Sequence, residues 1–62
     1  GMTFKDYVTE VKIARAKQLL TSTNDKINVI SEKVGYRDAK YFSRLFEKKV
    51  SLKPAQYRKI MR

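Results

Sequence analysis

Lys40, Ser43 and Arg44 recur at spacings of three and four, with Arg37 just upstream, so a helix through this stretch would put two cations and a hydroxyl on one face. Lysine and arginine donate to phosphate oxygens. Arginine also forks onto guanine O6 and N7, a serine hydroxyl reaches a base edge or a phosphate, and an alanine such as Ala39 can meet a thymine methyl. Arg37, in the preceding turn, is better placed for backbone phosphate than for a base. The chemistry these residues offer is recognition of a polyanion, with Lys40 and Arg44 as the leading contacts.

Catalytic chemistry has no comparable constellation. The six acids, Asp6, Glu10, Asp25, Glu32, Asp38 and Glu47, are spread along the chain, and there is no histidine or cysteine to act as base, nucleophile or metal ligand. No glycine-rich phosphate cradle is present. No catalytic residue, metal or cofactor is expected. Tyr36, Phe42 and Phe46 could stack on unpaired bases, but their spacing assigns them to a core instead.

The composition agrees with an anionic partner. Lys and Arg number 15 against 6 Asp and Glu, a net charge of +9 with a pI of about 10.1. The excess is uneven: residues 1–24 hold four cations and two acids, whereas residues 25–62 hold eleven and four. With 62 residues and no cysteine there is room for one small core, built from aliphatic and aromatic packing alone. No apolar run approaches the roughly 20 residues of a membrane span and no secretory leader opens the chain, so a soluble, cytoplasmic domain without membrane partners is expected.

Helices must position these residues. At about 100° per residue from Asp38 to Val50, Ala39, Tyr41, Phe42, Leu45, Phe46 and Val50 share one half of the wheel. Lys40, Ser43, Arg44, Glu47 and Lys48 share the other. Asp38 is suited to cap this helix, and Gly35 to end the one before it with positive φ. That earlier helix carries Ile27, Ile30 and Val34 on one stripe, and Asn24 or Asp25 would cap it. Upstream, Thr3 would cap a long helix reaching about Leu20, with Asp6 in its first turn. Thr21-Ser22-Thr23-Asn24-Asp25 reads as a tight connection. Downstream, Pro54 suits a first helical position; Tyr57 and Ile60 would close the core, and Arg58, Lys59 and Arg62 would lie toward solvent or near the negative helix end.

The long first helix has two apolar stripes. Ile13, Ala16 and Leu20 lie roughly opposite Phe4, Tyr7, Val8 and Val11, and only the first set is needed by the helices downstream. The second is covered by the small bundle itself, by a missing part of a larger domain, or by a second copy.

These residues resemble the AraC/XylS family of bacterial transcription regulators. The likeness runs through Ile27, Ile30, Ser31, Val34, Gly35 and Tyr36, then Tyr41, Phe42, Ser43, Arg44 and Phe46, then Pro54, Tyr57 and Arg58. Phe4, Tyr7, Val8, Lys12, Ile13, Ala16, Leu19 and Leu20 are similar to the family's linker helix. Ser31 stands for the usual alanine, Glu47 for a frequent lysine and Lys12 for an arginine. Ser51 and Lys53 occupy places where the family prefers a glycine and a capping serine or threonine. The resemblance implies half of a two-lobed, homeodomain-like DNA-binding domain whose paired recognition helices enter successive major grooves.

The expectation is therefore an all-α, four-helix fragment with one helix-turn-helix: a linker helix over 3–20, the helix-turn-helix over 25–50, and a C-terminal helix over 54–62. Its function would be sequence-specific binding of double-stranded DNA as part of a transcription regulator, with helix 38–50 in the major groove and contacts from Lys40, Arg44, Ser43, Ala39 and Arg37. Candidate protein partners are RNA polymerase and the absent first lobe. The alternative is an interaction or dimerisation module acting through Phe4, Tyr7, Val8 and Val11.

Overall fold

A computed structural model describes residues 2–62. The Thr3 hydroxyl accepts from the Asp6 amide at 3.1 Å and opens α1 (Phe4–Ser22), with the Asp6 carboxylate in the positively polarised first turn. The helix continues two residues past Leu20. Ser22 and Thr23 turn their hydroxyls back onto the Gln18 and Leu19 carbonyls, both at 2.7 Å, so the first residues of the polar cluster finish the helix and the connection is correspondingly shorter.

Three further helices complete the chain: α2 (Ile27–Lys33), α3 (Ala39–Val50) and α4 (Pro54–Met61). Neither Asn24 nor Asp25 caps α2. The N-cap is Lys26, with no side-chain bond to the helix; Asp25 stands one residue outside the cap position, where its carboxylate pairs with Lys33 at 2.6 Å. Pro54 does take the first position of α4, and Gln56 reaches back to accept from the Lys53 amide at 3.1 Å, in place of a capping hydroxyl.

The core lies where α1, α2 and α3 meet. Ile13, Ala16 and Leu20 from α1 pack with Ile30, Val34, Phe42 and Phe46, all buried, while Leu19, Ile27, Tyr36, Leu45, Val50 and Tyr57 close its edges. Aromatic rings run through it in sequence: Tyr36 to Phe42 at 5.9 Å, Phe42 to Phe46 at 5.8 Å, and Phe46 edge-on to Tyr57 at 5.6 Å. The core touches a narrower arc of α3 than half its circumference. Tyr41, on the apolar half by periodicity, is therefore 54% exposed and leans on Tyr36 instead.

Helix α4 corrects one expectation and narrows another. Ile60 is 63% exposed and closes nothing, since only Pro54 and Tyr57 face the core from so short a helix. Of the two places open to Arg58, solvent or a negative helix end, it takes the second, at α1 rather than at its own helix: its Nε donates to the Leu20 carbonyl at 2.9 Å and its Nη2 to the Thr23 carbonyl at 3.3 Å, with Arg62 adding a bond to the same Thr23 oxygen. Two guanidinium groups thus satisfy carbonyls left free at the negative end of α1 and fasten α4 across it.

Candidate nucleic-acid interface

The direction of α3 is set by the turn before it. Val34 ends α2, Gly35 takes φ 102°, and two amides fold back: Gly35 N–H to the Glu32 carbonyl at 3.0 Å and Tyr36 N–H to the Ser31 carbonyl at 2.8 Å. That is the Schellman arrangement, which uses a glycine because other residues meet a Cβ penalty at such φ. Ser31 is buried, and its hydroxyl donates to the Tyr36 carbonyl at 2.9 Å, so the polar atom that replaces an alanine methyl is satisfied and ties helix to turn. Asp38 then caps α3, accepting from the Lys40 and Tyr41 amides at 2.9 and 3.3 Å. Lys12 of α1 sets its ammonium 4.8 Å from the Tyr36 ring centre, bracing the turn from the other side. Burial pushes the Tyr36 hydroxyl above the ordinary phenol range, with Thr9 pulling the opposite way, so it stays protonated at neutral pH.

With Phe42 and Phe46 fully buried, the opposite side of α3 is held outward. Ala39, Lys40, Ser43, Arg44 and Glu47 line one open groove, completed by Ile27 at the start of α2 and by Lys53, Pro54 and Ala55 at the start of α4. Lys40 and Arg44 are exposed; Ala39 and Ser43 are half-buried along the groove floor. The structure thus brings four of the five sequence-nominated residues together. It does not bring Arg37, which borders a separate depression with Glu32, Gly35 and Tyr36 around the turn.

Electrostatically the groove is basic, with Lys40, Arg44 and Lys53 set against one acid, Glu47. Among the described residues the ion pairs are Lys33 with Asp25 and Lys49 with Glu10, so neither Lys40 nor Arg44 is held by an acid. A cation without an intramolecular partner keeps its charge available to a ligand, whereas exposed pairs are worth little to stability. Ile27, Lys53 and Ala55 were not nominated by sequence, because a helical wheel sees one helix at a time. The available signal was Lys53 itself, a cation just ahead of the Pro54 helix start.

A family model described as "Helix-turn-helix domain" matches residues 1–60. The chain belongs to the AraC-type helix-turn-helix family. It is 48% identical over 61 residues to the uncharacterized HTH-type transcriptional regulator YisR of Bacillus subtilis, covering 98% of this chain and 21% of that protein. It is 40% identical to the MmsAB operon regulatory protein of Pseudomonas aeruginosa, covering the whole chain and 20% of that protein. The crystal structure of the C-terminal domain of the two-component response regulator yesN from Fusobacterium nucleatum superposes with a TM-score of 0.92 at 40% identity, over 94% of this chain and 56% of that one. The chain therefore spans about a fifth of the length of these curated relatives. As an AraC-type module it is a DNA-binding domain of the kind transcription regulators carry, and no helix among its described residues is long and apolar enough to cross a membrane.

Proposed function

We propose that this module binds double-stranded DNA by laying α3 in the major groove, as part of a sequence-specific regulator. Lys40 and Arg44 carry most of the contact, Ser43 and Ala39 meet base edges or methyl groups, and Arg37 grips backbone phosphate from the turn. The observation that carries the reading is the outward face of α3: two unpaired cations beside small side chains on a groove floor, on a helix anchored by Phe42 and Phe46 behind it. Twelve residues give a rod about 18 Å long, and the B-DNA major groove, about 12 Å wide, admits an α-helix. The small Ala39 and Ser43 let the backbone come close to the bases while the longer Lys40 and Arg44 reach past them.

One module with three or four phosphate contacts binds weakly and with a log–log salt slope of about −3. Fluorescence anisotropy with a random duplex over a salt series, comparing the chain with a Lys40→Ala/Arg44→Ala variant, tests this. Binding that weakens with salt and nearly vanishes in the variant is the expected result. Absent or salt-insensitive binding overturns it.

A second reading concerns the other end of the molecule. Phe4, Tyr7 and Val11 are 75%, 61% and 50% exposed, an apolar stripe on α1 continued by half-buried Val8. We assign it to packing against a further helical lobe of a longer regulator, with self-association as the competing use. Sedimentation of this chain alone separates them: a monomer at all concentrations favours the lobe, and a concentration-dependent dimer that Tyr7→Lys abolishes favours self-association.

A further inference from the structure

Glu47 alone carries negative charge among the residues lining the α3 groove, where it stands one helical turn beyond Arg44. Its carboxylate belongs to neither of the ion pairs among the described residues, and the side chain is exposed. A free carboxylate on a surface that meets a polyanion costs binding energy wherever it faces phosphate. It recovers that cost only against a hydrogen-bond donor. The major groove offers two such donors, the amino groups of cytosine N4 and adenine N6. A carboxylate accepts and cannot donate, and adenine sets its N7 acceptor beside the amino group, where it repels a second carboxylate oxygen. Cytosine presents only C–H on that side.

Building on the proposed docking of α3, we infer that Glu47 is a specificity-determining residue: it accepts from a cytosine amino group next to the base pair read by Arg44, and its charge suppresses binding to sequences that lack one. The pairing is complementary along the helix, since Arg44 donates and favours guanine while Glu47 accepts and favours cytosine. The acid converts part of a sequence-independent attraction into discrimination.

The test uses a pool of duplexes randomised over a ten-base-pair core, sequenced before and after retention by the chain and by its Glu47→Ala, Glu47→Gln and Arg44→Ala variants. Anisotropy on random duplex runs in parallel, and circular dichroism confirms the fold of each variant. The wild-type chain should enrich cytosine at one position. Glu47→Ala should lose that enrichment while keeping the guanine preference that Arg44→Ala removes, and should bind random duplex about fivefold more tightly at 0.1 M salt, the effect of one charge. Glu47→Gln should move the preference toward adenine, because an amide both accepts from N6 and donates to N7. Unchanged enrichment in Glu47→Ala overturns the inference, whether random-duplex affinity rises or stays level. If the wild-type chain shows no salt-dependent duplex binding, the docking of α3 fails before any Glu47 variant is compared, which separates the two failures.

Discussion

Helix α3 is bounded by two connections that solve the same geometric problem differently. Before it, the chain leaves α2 through Gly35 at φ 102°, with a Schellman pair of amide bonds, the Ser31 hydroxyl on the Tyr36 carbonyl, and Asp38 as cap. After it, Ser51 takes φ 71° with one backbone bond to the Glu47 carbonyl at 2.8 Å, and α4 starts on Pro54 with no capping hydroxyl. Both connections reverse through positive φ, but only the first does so on a glycine. The first connection aims the groove face; the second returns the chain to the core and brings Lys53, Pro54 and Ala55 to the groove's edge. Conformational precision is concentrated where it sets the angle of α3, and a strained serine is tolerated where it does not.

The largest expected effect comes from breaking the first connection. Gly35→Ala places a Cβ at a φ that L-residues disfavour, and its new contacts, the Lys12 ammonium at 3.3 Å and the carbon before it at 3.4 Å, belong to a flexible side chain. The cost is thus mainly backbone strain, about 2 kcal/mol, read as a lower urea midpoint. That is a large share of the roughly 3 to 9 kcal/mol available to a chain of this length. Asp38→Ala ranks next at about 1 kcal/mol, since it frees two amides at the start of α3. Both should weaken duplex binding beyond their effect on stability, measured by anisotropy at a temperature where each variant is folded. Unchanged affinity would mean that the turn does not aim the groove face.

What could be read from sequence is what depends on neighbours in the chain. Thr3, Gly35, Asp38 and Pro54 act on backbone groups within a few residues, and Phe42 and Phe46 report a helical period, so the caps, the glycine turn and the core face of α3 obey local rules. The failures involve distance. Arg58 finds its carbonyl 38 positions upstream, at Leu20. Asp25, one residue outside the α2 cap, pairs instead with Lys33, eight positions on. Ile60 obeys the apolar period of α4 but lies beyond the edge that Tyr57 covers. The candidate groove divides the same way: Ala39, Lys40, Ser43 and Arg44 sit on one helix and are visible together, whereas Ile27, Lys53 and Ala55 join them only once α2 and α4 are packed alongside.

The second connection should respond in the opposite direction. Ser51→Gly removes the left-handed penalty of about 1 to 2 kcal/mol, and the greater freedom of glycine in the unfolded chain returns part of that gain. A net stabilisation of about 0.5 to 1 kcal/mol is expected, seen as a raised thermal midpoint with duplex affinity unchanged. A loss of stability would mean that the serine is not strained and that the two connections are alike.

Gln56→Ala is the finest of these distinctions. Its side-chain oxygen holds the Lys53 amide at 3.1 Å in an exposed position, where water replaces the bond at little cost, so the loss should be only about 0.5 kcal/mol. Lys53 also borders the groove, and the Gln56 bond fixes the backbone from which its side chain extends. If Lys53 contributes only charge, Gln56→Ala leaves both the duplex affinity and the salt slope unchanged. If it makes a positioned phosphate contact, the variant lowers the slope by somewhat less than one while barely moving the unfolding midpoint, and the second connection then shares in binding after all.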